Sequence, residues 1–277
     1  MGLRINTNTQ ALVAHRFLTT NTENQRSALE HLASGSRINR AGDDAAGLAI
    51  SEKLKSEVRS IRQANRNAND GISLLQVAEG GMNEVSNILI RMKELSVQSA
   101  SDTIGDTERG FVNKEIKQLK SEVDRIASVT EFDGHKLLDG SSSPLEIQIG
   151  TKNNPTMDRL VYHSAPLSVS VNSLNLEGVS VESKEAAQQN LSVIDSALDR
   201  LNGNRATVGA LQNRMNSTIN NLAIYKENLE SANSRIRDTD MAEASSDLVK
   251  QNILAQTNIS VLSQANQSPQ AALKLLG

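Results

Sequence analysis

The chain has 277 residues, a formal net charge of −3, and neither cysteine nor tryptophan. The weak charge gives no field that would attract nucleic acid or an anionic membrane, and the lack of cysteine excludes disulfides, thiol nucleophiles and thiolate metal ligands. Because aromatic residues make up only 2% of the chain, a compact globule of this length would lack its usual bulky core. The composition favours an elongated body with narrow helix–helix seams that are packed by aliphatic residues.

The first segment, residues 1–42, is weakly amphipathic, with Leu29 and Leu32 among its apolar positions. Its longest uninterrupted apolar run, residues 11–14, is too short for a cleaved signal or a membrane span, and no later segment reaches a spanning length. A helix this weak is not stable alone. We expect it to become helical by packing on another segment or on neighbouring copies.

A long helix is predicted over about residues 45–98, because apolar or small residues recur there in steps of three, four and seven. The residues of this seam are Leu54, Val58, Ile61, Ala68, Ile72, Leu75, Met82, Leu89 and Met92. Asp43 and Asp44 come just before the helix, where an Asp is the usual N-cap, and a metal-binding or acid pair is the less favoured alternative. Gly80 and Gly81 lie inside the seam, where they mark a close helix approach or a slight bend, or are a tolerated weakness.

Residues 101–106 interrupt this helix, and a second helix is expected to fold back on the first. Its seam repeats the three-and-four spacing at Val112, Ile116, Leu119, Val123 and Ile126. A small β-hairpin region is predicted in about residues 142–176, since two short runs alternate apolar and polar residues on either side of a turn at residues 151–155. The alternating apolar residues are Leu145, Ile147 and Ile149 before the turn, and Leu167, Val169 and Val171 after it.

A third seam predicts another long helix between residues 191 and 236. Its positions are Leu191, Ile194, Leu198, Leu201, Val208, Leu211, Met215, Leu222, Tyr225, Leu229 and Ile236. The last segment, residues 237–277, is weakly amphipathic like the first. We expect Leu248, Ile259 and Leu262 to fall on one stripe of that segment and, with Leu29 and Leu32, to serve self-assembly.

The predicted fold class is mainly α, an elongated antiparallel helical bundle with coiled-coil seams and a small β-hairpin region. We predict two domains. Residues 1–42 with 237–277 form a terminal coiled-coil domain that is disordered in the monomer, and residues 43–236 form the helical bundle. Folding of the chain ends would then be coupled to assembly.

Candidate catalytic groups are sparse in this sequence. The 4 histidines, at positions 15, 31, 135 and 163, stand singly. Motifs of zinc proteases, serine hydrolases, phosphate-binding loops and calcium loops are absent. We therefore expect no enzyme activity, no metal site and no cofactor.

The stretch from Leu29 to Ser51, LEHLASGSRINRAGDDAAGLAIS, closely resembles the N-terminal signature of bacterial flagellins. The C-terminal part resembles the same family independently, beginning with RIRDTDMA at residues 235–242. Further matching stretches are residues 65–84, 89–100, 130–138 and 253–270. The large variable insertion that many flagellins carry is missing, since only residues 141–180 lie between the two matching parts.

The resemblance implies a secreted structural subunit that polymerises into the extracellular flagellar filament. It implies that residues 1–42 and 237–277 line the filament channel and that residues 43–236 form an outer layer. Export would proceed unfolded through the flagellar type III machinery. The implied partners are further copies of the chain, an export chaperone for the C-terminal segment, the filament cap and the hook–filament junction proteins, without nucleic acid or membrane.

The resemblance also implies recognition by host flagellin receptors. Residues 30–51 align with the peptide that plant receptors sense, and the aligned residues include Asp43, Asp44 and Gly47. A second set aligns with residues that contact the flagellin-sensing Toll-like receptor of vertebrates, namely Arg91, Leu95 and Glu115. Because they are four residues apart, we expect Arg91 and Leu95 to share a helix face, and that face could equally pack on a neighbouring subunit.

Three rival functions stay open at this point. A hook–filament junction protein shares weaker versions of both terminal signatures and also polymerises. A chemoreceptor signalling region would have a similar helical hairpin, but it would need a membrane anchor or a fused sensor. An enzyme is the third alternative, because some flagellins carry a protease in the insertion that is missing here.

Overall fold

The computed structural model describes residues 7–274 of the chain and the side chains of residues 7–267. Most of the described residues belong to five α-helices, which confirms the mainly α fold class. In chain order the helices are α1 (Thr9–Ser34), α2 (Ala45–Ser99), α3 (Asp106–Val129), α4 (Lys184–Arg237) and α5 (Met241–Lys274). The predicted helix over residues 45–98 therefore ends within one residue of the observed α2.

The described residues form two compact units. One contains the described residues up to Val58 and those from Glu227 onwards, and the other contains Arg59–Lys226. Both α2 and α4 contribute residues to each unit. The functional division into residues 1–42 with 237–277 and residues 43–236 stays a prediction, and its outermost parts, residues 1–6 and 275–277, lie outside the described residues.

The three predicted seams form much of the core of the unit formed by Arg59–Lys226. Eleven of the seam residues in this unit are fully buried, because each apolar stripe packs against other apolar side chains and leaves water without burying a polar group. These residues are Ala68, Leu75, Met82, Leu89, Met92, Ile116, Val123, Ile194, Leu201, Val208 and Met215. Among the predicted seam residues, Tyr225 departs from the pattern, since 41% of its surface remains exposed.

The hairpin region contains a four-residue hairpin whose second strand is not the predicted one. Strand β3 (Leu145–Gln148) pairs antiparallel with β4 (Arg159–Tyr162), and Gln148 lies opposite Arg159. The predicted partner around residues 167–171 forms a short 3-10 turn followed by irregular backbone. That prediction was wrong because the alternation of apolar residues there reflects burial, not strand pairing.

The hydrogen bonds of the irregular backbone show where its donors go instead. The Val169 N–H donates to the carbonyl of Leu138 (3.0 Å), and the Val171 N–H donates to Oδ1 of Asp124 (2.8 Å). Both valines are buried, and so are apolar residues further along. Residues 171–181, which we call the strap, thus cover the helical core without joining a sheet.

Side chains of α3 and α4 hold this strap over residues 171–181. Buried irregular backbone must find partners other than a ladder, and long polar side chains on the two helices supply them. The contacts are Lys120 Nζ to the Glu177 carbonyl (2.6 Å), the Val181 N–H to Asn113 Oδ1 (3.2 Å), Asn190 Nδ2 to the Ser180 carbonyl (2.6 Å) and Arg200 Nη1 to the Ser173 carbonyl (2.8 Å).

A second, shorter hairpin follows α3 and was not predicted. Strands β1 (Glu131–Phe132) and β2 (His135–Lys136) are joined by Asp133 and Gly134. Both linking residues have positive φ, 49° and 78°, as a type I′ turn requires. The Asp-Gly pair is the sequence signal that identifies such a turn.

The two adjacent glycines of α2 have different surroundings. A Cβ on Gly81 would lie 2.7 Å from Cδ1 of Leu138 and 2.8 Å from Oγ1 of Thr130, whereas a Cβ on Gly80 would meet nothing within 4 Å. Leu138 is fully buried and has no room to move away. Gly81 is therefore a site of close approach, to the irregular chain that follows α3 and not to another helix, and Gly80 is the tolerated weakness.

We predict that Gly81→Ala and Gly80→Ala change the stability in opposite directions. Gly80→Ala should raise the free energy of unfolding by about 0.5–1 kcal/mol, because alanine loses less backbone entropy in a helix. Gly81→Ala should lower it by about 1–3 kcal/mol, because the new methyl group overpacks against Leu138. Thermal unfolding followed by circular dichroism would measure both, and equal shifts would contradict the assignment.

Candidate assembly and recognition surfaces

Helices α1 and α5 pack against each other along a seam of small and polar residues. The seam positions recur at three- and four-residue spacing on both helices, and all are less exposed than the residues that flank them. They are Ala11, Ala14, Leu18, Asn21, Gln25, Ala28 and Leu32 on α1, and Leu248, Gln251, Ala255, Asn258, Leu262 and Ala265 on α5. Few large apolar side chains are buried between the two helices.

Side-chain amides connect α1 to α5 at several levels. Asn8 Nδ2 donates to the carbonyl of Ala265 (2.7 Å), and Asn21 Nδ2 donates to the carbonyl of Gln251 (2.9 Å). The order of these contacts shows that the helices run antiparallel. Because the Asn21 side chain is almost fully buried, its hydrogen bond fixes the register of the pair.

The large apolar side chains of this pair lie on its flanks and are exposed. Their exposed fractions reach 64% for Leu12 and 57% for Ile259. The other exposed residues of this kind are Val13, Phe17, Leu29, Val249, Ile253, Leu254 and Val261. Residues 251–267 carry no charged side chain, and residues 8–22 carry only Arg16 apart from His15. In a two-helix coiled coil these flanking positions usually carry charges.

The predicted assembly residues separate into two groups. Leu32, Leu248 and Leu262 are half-buried in the seam, whereas Leu29 and Ile259 are exposed beside it. Ile259 therefore does not pack in the seam with Leu248 and Leu262, and the assembly role of these residues stays a prediction. Between Leu248 and Leu262 the seam continues through the small residue Ala255 and the polar residue Asn258.

The chain segments that leave α1 and enter α5 are joined by main-chain hydrogen bonds. Helix α1 ends at Gly35, which has a φ of 67° and donates to the carbonyl of His31. The Arg37 N–H donates to the carbonyl of Arg237 (2.6 Å), and the Thr239 N–H donates to the carbonyl of Gly35 (3.0 Å). These bonds hold the ends of α1 and α4 together where the helix pair begins.

The two acidic residues before α2 have different structural roles. Asp44 is the N-cap, because its Oδ1 accepts from the N–H of Gly47 (2.8 Å). Asp43 closes the preceding loop instead, since its Oδ2 accepts from the N–H groups of Arg40 (2.9 Å) and Asn39 (3.0 Å). These two donors hold the pKa of the Asp43 carboxyl below its ordinary value. The predicted capping role therefore belongs to Asp44 alone.

Gly47 lies at the third position of α2, directly under the cap. A Cβ there would be 2.3 Å from Oδ2 of Asp44 and 2.7 Å from Cδ1 of Ile38. Ile38 is only 1% exposed, so it cannot move aside. The cap and the loop before α2 thus require a glycine at this position.

The second predicted recognition set lies on α2 and α3. The guanidinium of Arg91 pairs with Oε1 of Glu115 (2.9 Å) and with Oε2 of Glu94 (3.3 Å), and about half of the Arg91 and Glu115 side chains is exposed. These carboxylates, Glu115 above all, raise the pKa of Arg91. Leu95 is only 2% exposed and belongs to the bundle core. Leu95 is therefore not available for a joint surface contact with Arg91 in this structure, and recognition through these residues stays a prediction.

Comparisons with known proteins give the family of this chain. Residues 5–143 match the bacterial flagellin N-terminal helical region, and residues 191–276 match the bacterial flagellin C-terminal helical region. The chain belongs to the bacterial flagellin family. It is 44% identical to a flagellin of Halalkalibacterium halodurans over 98% of this chain and 99% of that protein, and 41% identical to a flagellin of Bacillus subtilis over 99% and 100%.

Solved structures agree with this family membership. A crystal structure of Bacillus cereus flagellin, 30% identical, superposes with a TM-score of 0.50 and covers 57% of this chain and 88% of that one. A putative flagellar hook-associated protein from Vibrio parahaemolyticus gives a TM-score of 0.59 over 71% of this chain and 100% of that one. Because its identity is only 15%, that second likeness shows the fold alone.

The chain is a structural subunit that self-polymerises into the extracellular flagellar filament. Its 44% and 41% identity to flagellins over almost its full length indicates this role. The hook–filament junction alternative is not favoured. No helix among residues 7–274 combines the length and hydropathy that a membrane crossing needs. In the same part of the chain, no group of three or more His, Asp or Glu side chains is arranged to hold a metal ion.

We predict that the α2 cap tolerates Asp44→Asn but not Asp44→Ala. Asparagine can accept the same hydrogen bond, whereas alanine leaves the Gly47 N–H without a partner and should cost about 1 kcal/mol.

Gly47→Ala should also lower the free energy of unfolding, because its methyl group meets Asp44 and Ile38. Gly42→Ala, where a Cβ meets nothing within 4 Å, is the matched control. Chemical denaturation would measure all four, and a stable Gly47→Ala variant would contradict this account of the cap.

Proposed function

We propose that the α1–α5 pair is the surface through which this chain polymerises into the filament. The observation that carries the proposal is the arrangement of its side chains, with small and polar residues in the seam and large apolar residues on the flanks. Packing of these two helices on each other buries little large apolar surface and therefore contributes little free energy. Its apolar residues become buried only when other copies cover them.

The energies of burial support this division between folding and assembly. Burying one exposed Leu, Ile or Phe side chain contributes about 1.5–3 kcal/mol. In a single copy the flanking residues contribute almost none of this, so the gain comes on polymerisation and depends on concentration. We therefore propose that residues 1–42 with 237–277 are disordered in the monomer and that residues 43–236 fold without them.

The exposed apolar residues of α5 also favour binding of further flagellar partners. The uncharged stretch of α5 at residues 251–267, with its exposed Ile253, Leu254, Ile259 and Val261, would aggregate before it reached the growing polymer. A chaperone that covers α5 before export would prevent this. We also include the filament cap and the hook–filament junction proteins as partners, on the strength of the family resemblance.

Recognition by host receptors is the second part of the proposal. For the plant receptors it involves Asp43, Asp44 and Gly47, of which the last two build the α2 cap. For the vertebrate Toll-like receptor it involves Arg91 and Glu115, whose side chains are half-exposed. Leu95 lies in the core, so it would act by supporting the position of α2 beneath Arg91.

The proposal includes no catalytic role. Family membership supports a structural protein, and the chain contains no cysteine and only 4 histidines. Metal analysis after dialysis would test this part. A stoichiometric zinc ion, or a protease activity that His31→Ala abolishes, would contradict it.

We predict that deleting residues 248–277 leaves the thermal transition of the helical bundle nearly unchanged and abolishes polymerisation. The deletion removes one side of the α1–α5 seam and none of residues 43–236. Purified protein, seeded with fragments of intact filament, keeps export failure out of the result. Electron microscopy and sedimentation would measure polymer, and normal filaments from the truncated chain would contradict the proposal.

A point variant gives a milder form of this test. Ile259→Gln should raise the critical concentration for polymerisation by about tenfold or more, because one exposed apolar contact is lost between copies. Ser260→Gln is the matched control, since Ser260 is exposed next to Ile259 and has no apolar surface to contribute. Similar critical concentrations for the two variants would contradict a role for Ile259.

We predict that Arg91→Ala weakens activation of the flagellin-sensing Toll-like receptor by about tenfold or more, as expected for the loss of a charge-assisted contact. Arg125→Ala is the matched control, because Arg125 is similarly exposed and pairs with Glu122 as Arg91 pairs with Glu94. Reporter cells that carry the receptor would measure the concentration for half-maximal response. Equal responses to both variants would contradict a role for Arg91.

A further inference from the structure

His15 is a single ionisable side chain in an otherwise uncharged part of the α1–α5 pair. It lines a groove of ≈ 470 Å³ together with Leu12, Leu262 and Asn266, among others. A second groove of ≈ 720 Å³ lies along the same pair, and its lining contains no ionisable side chain. The charge of the two grooves therefore depends on the protonation of His15.

The α5 side of the groove offers no charge that would balance a protonated His15. Hydrogen bonds between the two helices on either side of this level place His15 opposite the middle of residues 251–267. This stretch carries no charged side chain, and the charged residue that precedes it is Lys250. A lysine would oppose a second positive charge and not balance it.

The α1 side adds one positive charge and no nearby negative one. Arg16 follows His15 in the chain, and its guanidinium lies 5.8 Å from the centre of the Phe17 ring. The next carboxylate along α1 is Glu23, about 12 Å further along the helix axis at 1.5 Å per residue. Within residues 7–267 the imidazole of His15 has no hydrogen bond or ion pair. A protonated His15 must therefore be stabilised by water.

A cover over the groove would remove that water. Imidazole side chains ordinarily titrate at about pH 6.5, so both of their forms occur near neutral pH. A neutral imidazole can be covered at modest cost, whereas the burial of an unpaired charge is strongly unfavourable. Protonation of His15 therefore favours the state in which the groove is open to water.

Resting on the proposed role of the α1–α5 pair in polymerisation, we infer that His15 makes assembly sensitive to pH. Copies with a neutral His15 polymerise, and copies with a protonated His15 stay in solution. Because the polymer then binds fewer protons than the monomer, a fall in pH lowers the stability of the polymer. If each copy releases one proton, the critical concentration rises by up to about tenfold for each pH unit in the acid range.

The same helix supplies a matched control for this inference. His31 also belongs to α1 but lines neither groove. The carboxylate of Asp43 is close enough to interact with the charge of His31. Protonation of His31 is thus balanced within the chain, and His31→Gln should leave the pH dependence of assembly intact.

Seeded polymerisation of the purified full chain tests the inference. The critical concentration would be measured by sedimentation at about pH 7.5 and at about pH 5.5, at one ionic strength. At the lower pH we expect a rise of about tenfold or more for the unmodified chain and for His31→Gln. For His15→Gln, whose amide cannot be protonated, we expect a rise of less than about twofold.

Proton release gives a second readout that a merely structural role of His15 would not change. At about pH 6, polymerisation of the unmodified chain in weak buffer should release more protons per copy than polymerisation of His15→Gln. His15→Leu is a second neutral variant and should behave like His15→Gln. It provides the comparison if glutamine at this position slows polymerisation.

The inference would be overturned if His15→Gln kept the pH dependence of the unmodified chain, or if the unmodified chain polymerised equally well at both pH values. Equal proton release from the unmodified chain and both neutral variants would also overturn it. So would the failure of both neutral variants to polymerise at the higher pH, because His15 would then not act through its charge. These outcomes are distinct from failure of the proposed function, in which chains without residues 248–277 still form normal filaments.

Discussion

The packing of α1 on α5 through small and polar side chains is the constraint on which the behaviour of this chain depends. Alanines at the contact let the helices approach closely, and amides such as Asn21 set the register. Neither supplies much free energy, because little apolar surface leaves water in the seam. Stability of the pair must therefore come from outside it. Under the proposed function, that stability comes from the copies that cover the flanks of the pair in the polymer.

The unit formed by Arg59–Lys226 follows the opposite principle. Its helices bury large aliphatic side chains against each other, and the strap over residues 171–181 closes the remaining apolar surface. The strap is held by polar side chains from α3 and α4, which satisfy its buried backbone in place of a sheet. A hydrogen-bonded cover of this kind is specific to one backbone path, since each donor needs its partner at one position. Under the proposed division, the middle of the chain is ordered whatever the state of the α1–α5 pair.

The sequence predicts the long helices well because the three-and-four spacing of apolar residues repeats over many turns. The predicted end of α2 is correct to one residue. The second strand of the main hairpin was misplaced because alternation at Val169 and Val171 records burial but does not name a pairing partner. The β1–β2 turn could have been found from Asp133 and Gly134. The burial of Leu95 and the exposure of Ile259 could not be predicted for a different reason. Which side of a helix is covered depends on its neighbour, and no residue of the helix itself identifies that neighbour.

The antiparallel pairing of α1 with α5 joins residues from far apart in the chain, since Asn8 and Ala265 are separated by 257 positions. In the sequence, α2, α3 and α4 all lie between the two helices that form the seam. A chain that ends between α4 and α5 keeps every helix of the bundle but has no second helix to complete the pair. Under the proposed function, polymerisation through this pair would act as a check on length, because only copies that include the far helix could join. The filament would then need no separate factor that recognises such truncated chains.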